Sequence, residues 1–542
     1  MKKVDKIRNP AHFVPYVIAA LVVAVVVYVR IRLLAVPLER DEGEYAYMGQ
    51  LLLKGIPPFS HAYTMKLPGV SIMYAFFMSL FGQTPSGIHL GLLIINGTCV
   101  GLVYLLAKRL FDRDAALFSG AIYAVLSLSV SVFGLFAHAT HFVMLFALAG
   151  FLCLFRALEK RQKALLFASG ICFGLAVTMK QHAALFLMFA VPHFAACEWR
   201  NPHSEKKSCI TGSFVIMLGA IVPYALIISW MFIAGNFADF WFWTVQYARA
   251  YTLNQTIALG WNNFNGTFAS IMELQSPFWL LAGFGCIVLA SKKGWCADRL
   301  FVVGFVLFSF LAICPGWIFR GHYVVLLLPA VALMAGAVIS SSGLLLRSTG
   351  LAMLAPFIPS LLLVVAITYN FYHEKDIYFT YTPLEVSRAT YGPNPFPEAL
   401  RIAAYIKDTT TPGEQIAVLG SEPEIYFYAD RLAASGHIYM YGLMENQPFA
   451  ERMQRQMIRE IEEERPTYIV DVHVGMSWLV QKRSVETVFY WAENYLGAQY
   501  ERVGVADIIG FNSTRYLWGN NAAWYKPVSE NFVIVYKRKS GG

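Results

Sequence analysis

Long apolar segments separated by short basic loops constrain the fold of this sequence more than any other feature. A helix needs about 20 apolar residues to cross a bilayer. Charged residues make up only 14% of the chain, against roughly 25% in soluble proteins. The candidate spans cover residues 13–35, 87–107, 115–134, 139–157, 164–180, 182–198, 211–234, 277–291, 300–317, 322–342 and 350–370. The sequence therefore predicts a polytopic α-helical membrane protein.

The positions of the basic residues support this number of spans. Cytoplasmic loops carry an excess of Lys and Arg. With the N-terminus inside, the basic loops 108–113, 156–163, 200–207 and 292–299 all fall on the cytoplasmic side. These loops account for much of the net charge of +9, so the charge does not indicate a nucleic-acid partner. We expect a multi-pass protein of the plasma (inner) membrane, surrounded by membrane lipids.

The composition changes to a soluble mixture beyond the last span. Helix-like stretches alternate with apolar strands at 415–420, 467–470 and 532–536, and this alternation predicts a small α/β domain. Because the number of spans is odd, the domain would lie outside. We therefore expect a transmembrane domain over 1–370 and an extracytoplasmic α/β domain over 371–542.

Two long segments between spans are also predicted to lie outside. The first, residues 36–86, contains the stretch 42–53, which has the mixed face of a helix lying in the membrane interface. It also contains the apolar stretch 70–81, which is too short to cross. The second segment, 235–275, is rich in Trp and Tyr, as expected at a membrane–water interface.

Ionisable residues at the predicted outer ends of the spans are candidates for function, because charges at membrane depth are costly. Simpler interpretations exist, since carboxylates cap helix starts and basic side chains anchor at the interface. Positive groups beside a pair of carboxylates nevertheless indicate an anionic ligand next to a base. The clusters are Glu39-Arg40-Asp41-Glu42-Gly43-Glu44-Tyr45, His61 to Gly69 with Lys66, His138-Ala139-Thr140-His141, Lys180-Gln181-His182 and Arg320-Gly321-His322-Tyr323.

A divalent metal is one alternative ligand for these clusters. His138 and His141 are three residues apart and share one face of a helix, so they are candidate ligands for a metal or a phosphate. Two histidines do not complete a zinc site, and the 8 cysteines include no CxxC pair. The sequence therefore names no cofactor with certainty.

Several of these motifs resemble those of one known family. The run Pro37-Leu38-Glu39-Arg40-Asp41-Glu42-Gly43-Glu44-Tyr45-Ala46 followed by Lys66-Leu67-Pro68-Gly69 is similar to the first outer loop of the dolichyl-phosphate-mannose–protein mannosyltransferases. That family includes bacterial aminoarabinose transferases of lipid A. The motif at Arg320 and the stretch 420–426 also match. The sequence departs from many relatives at 138–141, where they carry a carboxylate, and at Leu67, where proline is common.

The resemblance implies a GT-C fold with about eleven transmembrane helices and juxtamembrane helices in the first outer loop. It implies an inverting glycosyltransferase that moves a sugar from a polyprenyl-phosphate donor to a glycan, lipid or protein acceptor at the outer face. Asp41 would be the general base, and Glu42 would support it or hold a metal together with His138 and His141. Lys66, Lys180 and Arg320 would bind the donor phosphate. The residues expected to bind substrate are Glu44, Tyr45, His61, Tyr63, His138, His141, His322 and Tyr323.

The main alternative is a transporter or flippase of polyprenyl lipids or glycans, because charges at membrane depth also form permeation sites. Transporters usually contain internal repeats with broken helices in matching positions, and no such repeat is evident in the sequence. A non-catalytic scaffold would not need these charges. The preferred interpretation is therefore a glycosyltransferase.

Overall fold

The computed structural model describes residues 13–202, 205–253, 256–291, 297–355 and 357–539. The basic N-terminal residues and part of the predicted cytoplasmic loops 200–207 and 292–299 lie outside the described residues. Contacts divide the chain into two compact units. The first unit contains residues up to Leu33, His89–Ile227 and Thr256–Thr380, and the second contains Leu34–Ile88, Ile228–Gln255 and the residues from Tyr381 onward.

The first predicted outer loop therefore groups with the C-terminal residues rather than with the helices that flank it in sequence. The domain boundary predicted at residue 370 stays a prediction.

Most of the described residues are helical. Up to residue 200 the helices are α1 Val14–Arg32, α2 Arg40–Leu53, α3 Gly69–Phe81, α4 Pro85–Leu110, α5 Arg113–Leu126, α6 Ala139–Lys160, α7 Lys163–Met179 and α8 Ala184–Arg200. The next are α9 Lys206–Ile233, α10 Phe237–Trp241, α11 Ala248–Leu253, α12 Ile257–Ser291, α13 Ala297–Ile313, α14 Leu328–Ser348 and α15 Phe357–His373. The last are α16 Pro383–Tyr391, α17 Phe396–Asp408, α18 Glu424–Ala429, α19 Tyr441–Met444, α20 Ala450–Glu464, α21 Gly475–Trp478, α22 Thr487–Gln499 and α23 Asn520–Ala523.

Each predicted span overlaps one helix of the structure. Among the described residues, α1, α4, α6, α9 and α14 are long and apolar enough to cross a membrane by length and composition. The helices α7 and α15 are apolar but shorter. The structure thus has several apolar helices, as expected, and the exact number of eleven crossings stays a prediction.

The helix predicted over 115–134 is shorter than expected, because α5 ends at Leu126. The last carbonyl groups of a helix lack partners within the helix. Here Arg30 Nη2 donates to Ser127 O at 2.7 Å, and Arg30 Nη1 donates to Gly134 O at 3.1 Å. This buried arginine of α1 binds the carbonyl groups where the chain leaves the helix, and the sequence of α5 alone does not reveal it.

The helix predicted over 277–291 is longer than expected, because α12 begins at Ile257. Its first half lies in the segment 235–275 that was predicted as an interfacial connection. A proline inside a helix removes one helical hydrogen bond, and Pro277 lies inside α12. The helix nevertheless continues through Pro277.

An aromatic cluster forms the core of the first unit where α6, α7 and α13 meet. The ring centroid of Phe151 lies 4.9 Å from that of Phe173, 5.2 Å from that of Phe301 and 5.4 Å from that of Phe305. All three ring pairs are edge-to-face, an arrangement that contributes about 0.5–1.5 kcal/mol beyond the burial of area. The cluster joins helices from distant parts of the sequence.

A six-stranded mixed sheet lies in the C-terminal part of the second unit, in the order β2-β1-β3-β6-β4-β5. β1 pairs in parallel with β2 and β3, whereas β6 pairs antiparallel with β3 and β4, and β4 with β5. The strands are β1 Gln415–Leu419, β2 Leu432–Ala433, β3 Tyr468–His473, β4 Tyr500–Gly510, β5 Ser513–Trp518 and β6 Phe532–Arg538.

The α/β prediction is correct for the three strands β1, β3 and β6, which match the apolar runs in the sequence. It missed the β4–β5 hairpin. In β4 the residues 501–503, 509 and 510 are exposed or half-buried, and none of the residues of β5 is buried. Without a continuous apolar run, these strands lack the pattern from which a strand is usually predicted.

Both helices expected in the first outer loop are present as α2 and α3. Glu39 caps α2: its carboxylate accepts a hydrogen bond from Glu42 N at 2.9 Å, and the Glu42 carboxylate accepts one from Glu39 N at 3.3 Å. This reciprocal capping box satisfies donors at the helix start. α2 packs against α3 and α18.

Gly43 allows α2 to approach α18 closely. A Cβ atom at this position would lie 2.6 Å from the backbone nitrogen of Glu424 and 2.8 Å from its Cβ. Every residue of α2 from Arg40 to Leu51 is buried, so the helix has little room to move away. The first turn of α2 is therefore fixed by packing on both sides.

We expect Gly43→Ala to destabilise the protein by about 1–3 kcal/mol, because the added methyl group overpacks the α2–α18 contact. This cost outweighs the gain of about 1 kcal/mol in helix propensity. Gly497→Ala in α22 is the control, since no described atom lies within 4 Å of its added Cβ. Thermal unfolding in detergent, followed by tryptophan fluorescence, compares the two variants. A midpoint for Gly43→Ala at or above that of Gly497→Ala would contradict the packing argument.

Candidate active site

Lys66 joins two carboxylates of α2 in the second unit. Its Nζ donates to Asp41 Oδ1 at 2.8 Å and to Glu44 Oε2 at 2.5 Å. Asp41 and Glu44 are three residues apart, so both carboxylates project from one side of the helix. Both carboxylates are buried, whereas 26% of the Lys66 side chain is exposed. Lys66 thus contacts two other predicted site residues, Asp41 and Glu44.

The segment before α3 explains how Lys66 reaches α2. The Thr64 hydroxyl group accepts a hydrogen bond from Lys66 N at 3.2 Å and also bonds Glu44. Pro68 then starts α3, and its fixed φ directs the chain into the helix. The sequence Thr-Met-Lys-Leu-Pro-Gly therefore holds the lysine at one place above α2.

Burial and charge act in opposite directions on the ionisable groups. Burial alone would lower the pKa of Lys66, but Asp41 and Glu44 raise it well above its ordinary value. Burial raises the pKa of Glu44, although Lys66 opposes this. One ammonium group faces two carboxylates, so the trio is negative when both are ionised. Such a charge balance favours the uptake of a proton.

Two tyrosine rings enclose the ammonium group of Lys66. Nζ lies 4.5 Å from the ring centroid of Tyr45 and 5.5 Å from that of Tyr439, distances at which a ring face attracts a cation. The Tyr439 hydroxyl group donates to Asp41 Oδ1 at 3.3 Å, which is long for such a bond. Tyr45 was predicted to belong to the site.

Tyr439 was not predicted from the sequence, and it lies 398 residues after Asp41. No short motif contains both residues, and Tyr439 follows β2 in a stretch without regular structure. Only the fold of the second unit brings them together. The one local signal is the pattern Tyr-x-Tyr at 439–441, which is not specific.

The other predicted residues of the first outer loop have mainly structural contacts. Glu42 is fully buried and completes the capping box of α2, as the simpler interpretation predicted. The Tyr63 ring stacks on Trp243 with 5.4 Å between centroids, and its hydroxyl group donates to Glu460 at 2.9 Å. His61 is half-buried in the same loop.

In the first unit, four predicted residues form two pairs. The rings of His138 and His322 stack with 4.1 Å between their centroids. Lys180 Nζ lies 3.6 Å from the ring centroid of Tyr323, a cation–π contact. Histidine and basic residues from α6, the α7–α8 turn and the segment before α14 are therefore neighbours within this unit.

The remaining predicted residues of the first unit are His141 and Arg320. His141 Nδ1 lies 3.1 Å from the side-chain amide of Asn96, which leaves Nε2 as the nitrogen that could coordinate a metal. Arg320 directly precedes the short 3₁₀ segment Gly321–Leu326. A metal bound by Glu42, His138 and His141 stays a prediction.

One part of the chain matches a known family. Residues 61–230 match the model of the dolichyl-phosphate-mannose-protein mannosyltransferase family. The matched segment contains Lys66, His138, His141 and Lys180. No curated protein sequence matches the chain.

Solved structures share the fold over nearly the whole chain. ArnT from Cupriavidus metallidurans, bound to undecaprenyl phosphate, has a TM-score of 0.56 at 15% identity, over 95% of this chain and 97% of that chain. The oligosaccharyltransferase AglB from Archaeoglobus fulgidus, in complex with an inhibitory peptide and a dolichol-phosphate, has a TM-score of 0.52 at 14% identity. That match covers 95% of this chain and 75% of the other. At these identities the similarity shows a common fold.

The fold prediction is thereby confirmed in its coarser form: a mostly helical membrane protein with GT-C neighbours and a sheet in its C-terminal part. The family predicted from the first outer loop is also the family whose model matches. The chain thus resembles the dolichyl-phosphate-mannose-protein mannosyltransferase family over residues 61–230, and it shares its fold with ArnT and with the oligosaccharyltransferase AglB.

Proposed function

We propose that the chain is an inverting glycosyltransferase that moves a sugar from a polyprenyl phosphate to an acceptor hydroxyl group at the extracytoplasmic face of the plasma (inner) membrane. The observation that carries the proposal is the buried Asp41 carboxylate held by Lys66. The undecaprenyl phosphate bound to ArnT and the dolichol-phosphate bound to AglB support a lipid-phosphate donor. The acceptor is a glycan, a lipid or a protein.

In this proposal Asp41 is the general base. The acceptor oxygen attacks the anomeric carbon and forms the new glycosidic bond, while its proton passes to the Asp41 carboxylate. The bond between the anomeric carbon and the phosphate oxygen breaks, and the polyprenyl phosphate leaves with the electron pair. A single displacement of this kind inverts the anomeric configuration. A carboxylate base contributes about 10²–10⁴-fold to such a step.

Lys66 links the base to the donor. In the structure, its ammonium group bonds Asp41 and Glu44. A phosphate oxygen of the donor that accepts a hydrogen bond from Lys66 Nζ would compete with both carboxylates for the ammonium group. When the Lys66–Asp41 pair weakens, the carboxylate becomes a stronger proton acceptor because the nearby positive charge no longer stabilises its ionised form. Binding of the donor would thereby activate the base.

The other assignments come from the family resemblance. It assigns Lys180 and Arg320 to the donor phosphate. It also supports a transmembrane catalytic domain over 1–370 and an extracytoplasmic domain over 371–542. Both assignments belong to this proposal.

We expect Asp41→Asn to lower the transfer rate by about 10²–10⁴-fold, because an amide of the same size cannot accept the proton. The assay follows radiolabel from undecaprenyl-phosphate sugars into acceptors of membranes from a deletion strain. Asp430→Asn is the control, since it breaks the exposed pair between Asp430 and Lys54 (2.6 Å) near the other end of α2. Exposed pairs contribute about 0–1 kcal/mol. Full transfer by folded Asp41→Asn would disprove the base assignment, and lipid translocation without transfer by the wild type would favour a flippase.

We expect Lys66→Gln to weaken the binding of undecaprenyl phosphate roughly 10- to 100-fold, because a hydrogen bond to a charged group contributes about 1.5–3 kcal/mol. The measurement is the inhibition constant of undecaprenyl phosphate in the transfer assay. Lys54→Gln, which removes an exposed lysine at the end of α2, should leave this constant unchanged. Equal constants for the wild type and Lys66→Gln would show that Lys66 does not contact the donor phosphate.

A further inference from the structure

Arg40, one residue before the proposed base, is buried and bound to the C-terminal part of the second unit. Its guanidinium group makes four hydrogen bonds, and every acceptor belongs to residues 394–441. These bonds run from Nε to Ser421 O at 2.6 Å, from Nη1 to the Tyr441 hydroxyl at 2.7 Å, and from Nη2 to Asn394 Oδ1 and Glu422 Oε1, both at 2.9 Å.

The acceptors of Arg40 are themselves fixed by the loops that follow β1 and β3. The Ser477 hydroxyl group donates to Glu422 Oε2 at 2.6 Å and accepts a hydrogen bond from Ser421 N at 2.8 Å. The Tyr441 hydroxyl group donates to Met476 O at 2.6 Å. The guanidinium group therefore lies among polar groups that other hydrogen bonds already orient. We call this set of acceptors, which consists of Asn394, Ser421, Glu422 and Tyr441, the crevice.

This crevice lies where open α/β sheets usually bind ligands. β1 lies between β2 and β3, and all three strands are parallel. The sheet order thus reverses at β1, and in such sheets the ligand occupies the crevice outside the carboxyl ends of the strands at the point of reversal. Ser421 follows β1 and Ser477 follows β3. A side chain from the first outer loop occupies this position here.

Burial does not neutralise the arginine. Burial alone would lower the pKa of Arg40, but Tyr441 and Glu422 raise it above its ordinary value. A charged guanidinium group with a bonded carboxylate partner forms a stable, geometrically fixed contact. The crevice therefore holds the start of α2 in one position.

We propose that Arg40 is a positioning residue: anchored in the crevice of the sheet, it fixes the first turn of α2 and so holds Asp41 against Lys66. This inference rests on the proposed function of Asp41. The chain segment that supplies Tyr441 to Arg40 also supplies Tyr439, whose hydroxyl group contacts Asp41. One C-terminal segment thus contacts both the anchor and the base.

Arg40→Lys is the variant that tests the anchor. Lysine keeps the positive charge beside Glu422, so the buried carboxylate is not left without a counter-charge. Its single ammonium group cannot reproduce the planar fork that reaches four acceptors. The substitution therefore loosens the anchor while it preserves the local charge.

Arg431→Lys is the matched control. Arg431 is also a buried arginine of the second unit, and it makes five hydrogen bonds. Its acceptors are Lys407 O, Thr410 O and Oγ1, Ala429 O and Asp430 O. Lysine at this position removes a comparable network that contains no atom of α2.

We expect Arg40→Lys to lower kcat about 10- to 100-fold, since a misplacement of about 1 Å costs roughly that much. The KM values for the polyprenyl-phosphate sugar and the acceptor should stay within about twofold. Hydrogen exchange of the peptide that covers α2 should be faster in Arg40→Lys. Arg431→Lys should lower the melting temperature but leave kcat and the exchange of α2 unchanged. Equal kcat losses in both variants would show general destabilisation and overturn the proposal.

Hydrogen exchange separates this proposal from the proposed function, because it needs no activity. If the wild type transfers sugar and Arg40→Lys changes neither kcat nor the exchange of α2, the anchor is wrong and the function stands. If the wild type transfers no sugar but Arg40→Lys alone loosens α2, the function is wrong and the anchor of α2 stands.

Discussion

The ammonium group of Lys66 between Asp41 and Glu44 is the interaction on which the arrangement of the proposed site depends. Two buried carboxylates on neighbouring turns repel each other and lose their hydration. The capped start of α2 and its packed surroundings leave only 10% of the Asp41 side chain and 2% of the Glu44 side chain exposed. Lys66 offsets this cost, and in doing so it ties the loop before α3 to α2. The same cation therefore stabilises the local fold and sets the proton affinity of the proposed base.

Features that depend on neighbouring residues were predictable from the sequence, and those that depend on distant contacts were not. Apolar length located the helices, and the short stretches 42–53 and 70–81 correspond to α2 and α3. The pairing of Asp41 with Lys66 was expected only in general terms, as a base beside a cation. Tyr439 was missed because its contact with Asp41 spans 398 residues. The early end of α5 was missed for the same reason, since the carbonyl groups that follow it bind Arg30 of another helix.

The loop after β1 shows how a local pattern acquires its meaning from the fold. Gly420 and Ser421 directly follow the strand, but the loop lacks the further glycines of a dinucleotide-binding motif. In the structure, the loop binds the guanidinium group of Arg40 through Ser421 and Glu422. Because the side chain of Arg40 occupies this position, the position is not open to a nucleotide. This agrees with a donor that carries its phosphate on a lipid rather than on a nucleoside.

The two cations near Asp41 differ in chemistry in a way that fits their proposed roles. Arg40 is buried and binds four oriented acceptors, so the loss of one of these hydrogen bonds would leave a buried polar group without its partner. Lys66 is a compact charge on a flexible stem and is partly exposed, so it can change partners at lower cost. A residue that positions a helix needs a contact that is costly to exchange. A residue that leaves a carboxylate to bind an incoming phosphate needs a contact that it can exchange at low cost. A lysine at position 40 and an arginine at position 66 would keep the net charge, but the fixed four-acceptor contact and the mobile point charge would both be lost. The geometry of the donor groups therefore distinguishes the anchor from the phosphate ligand, and charge alone does not.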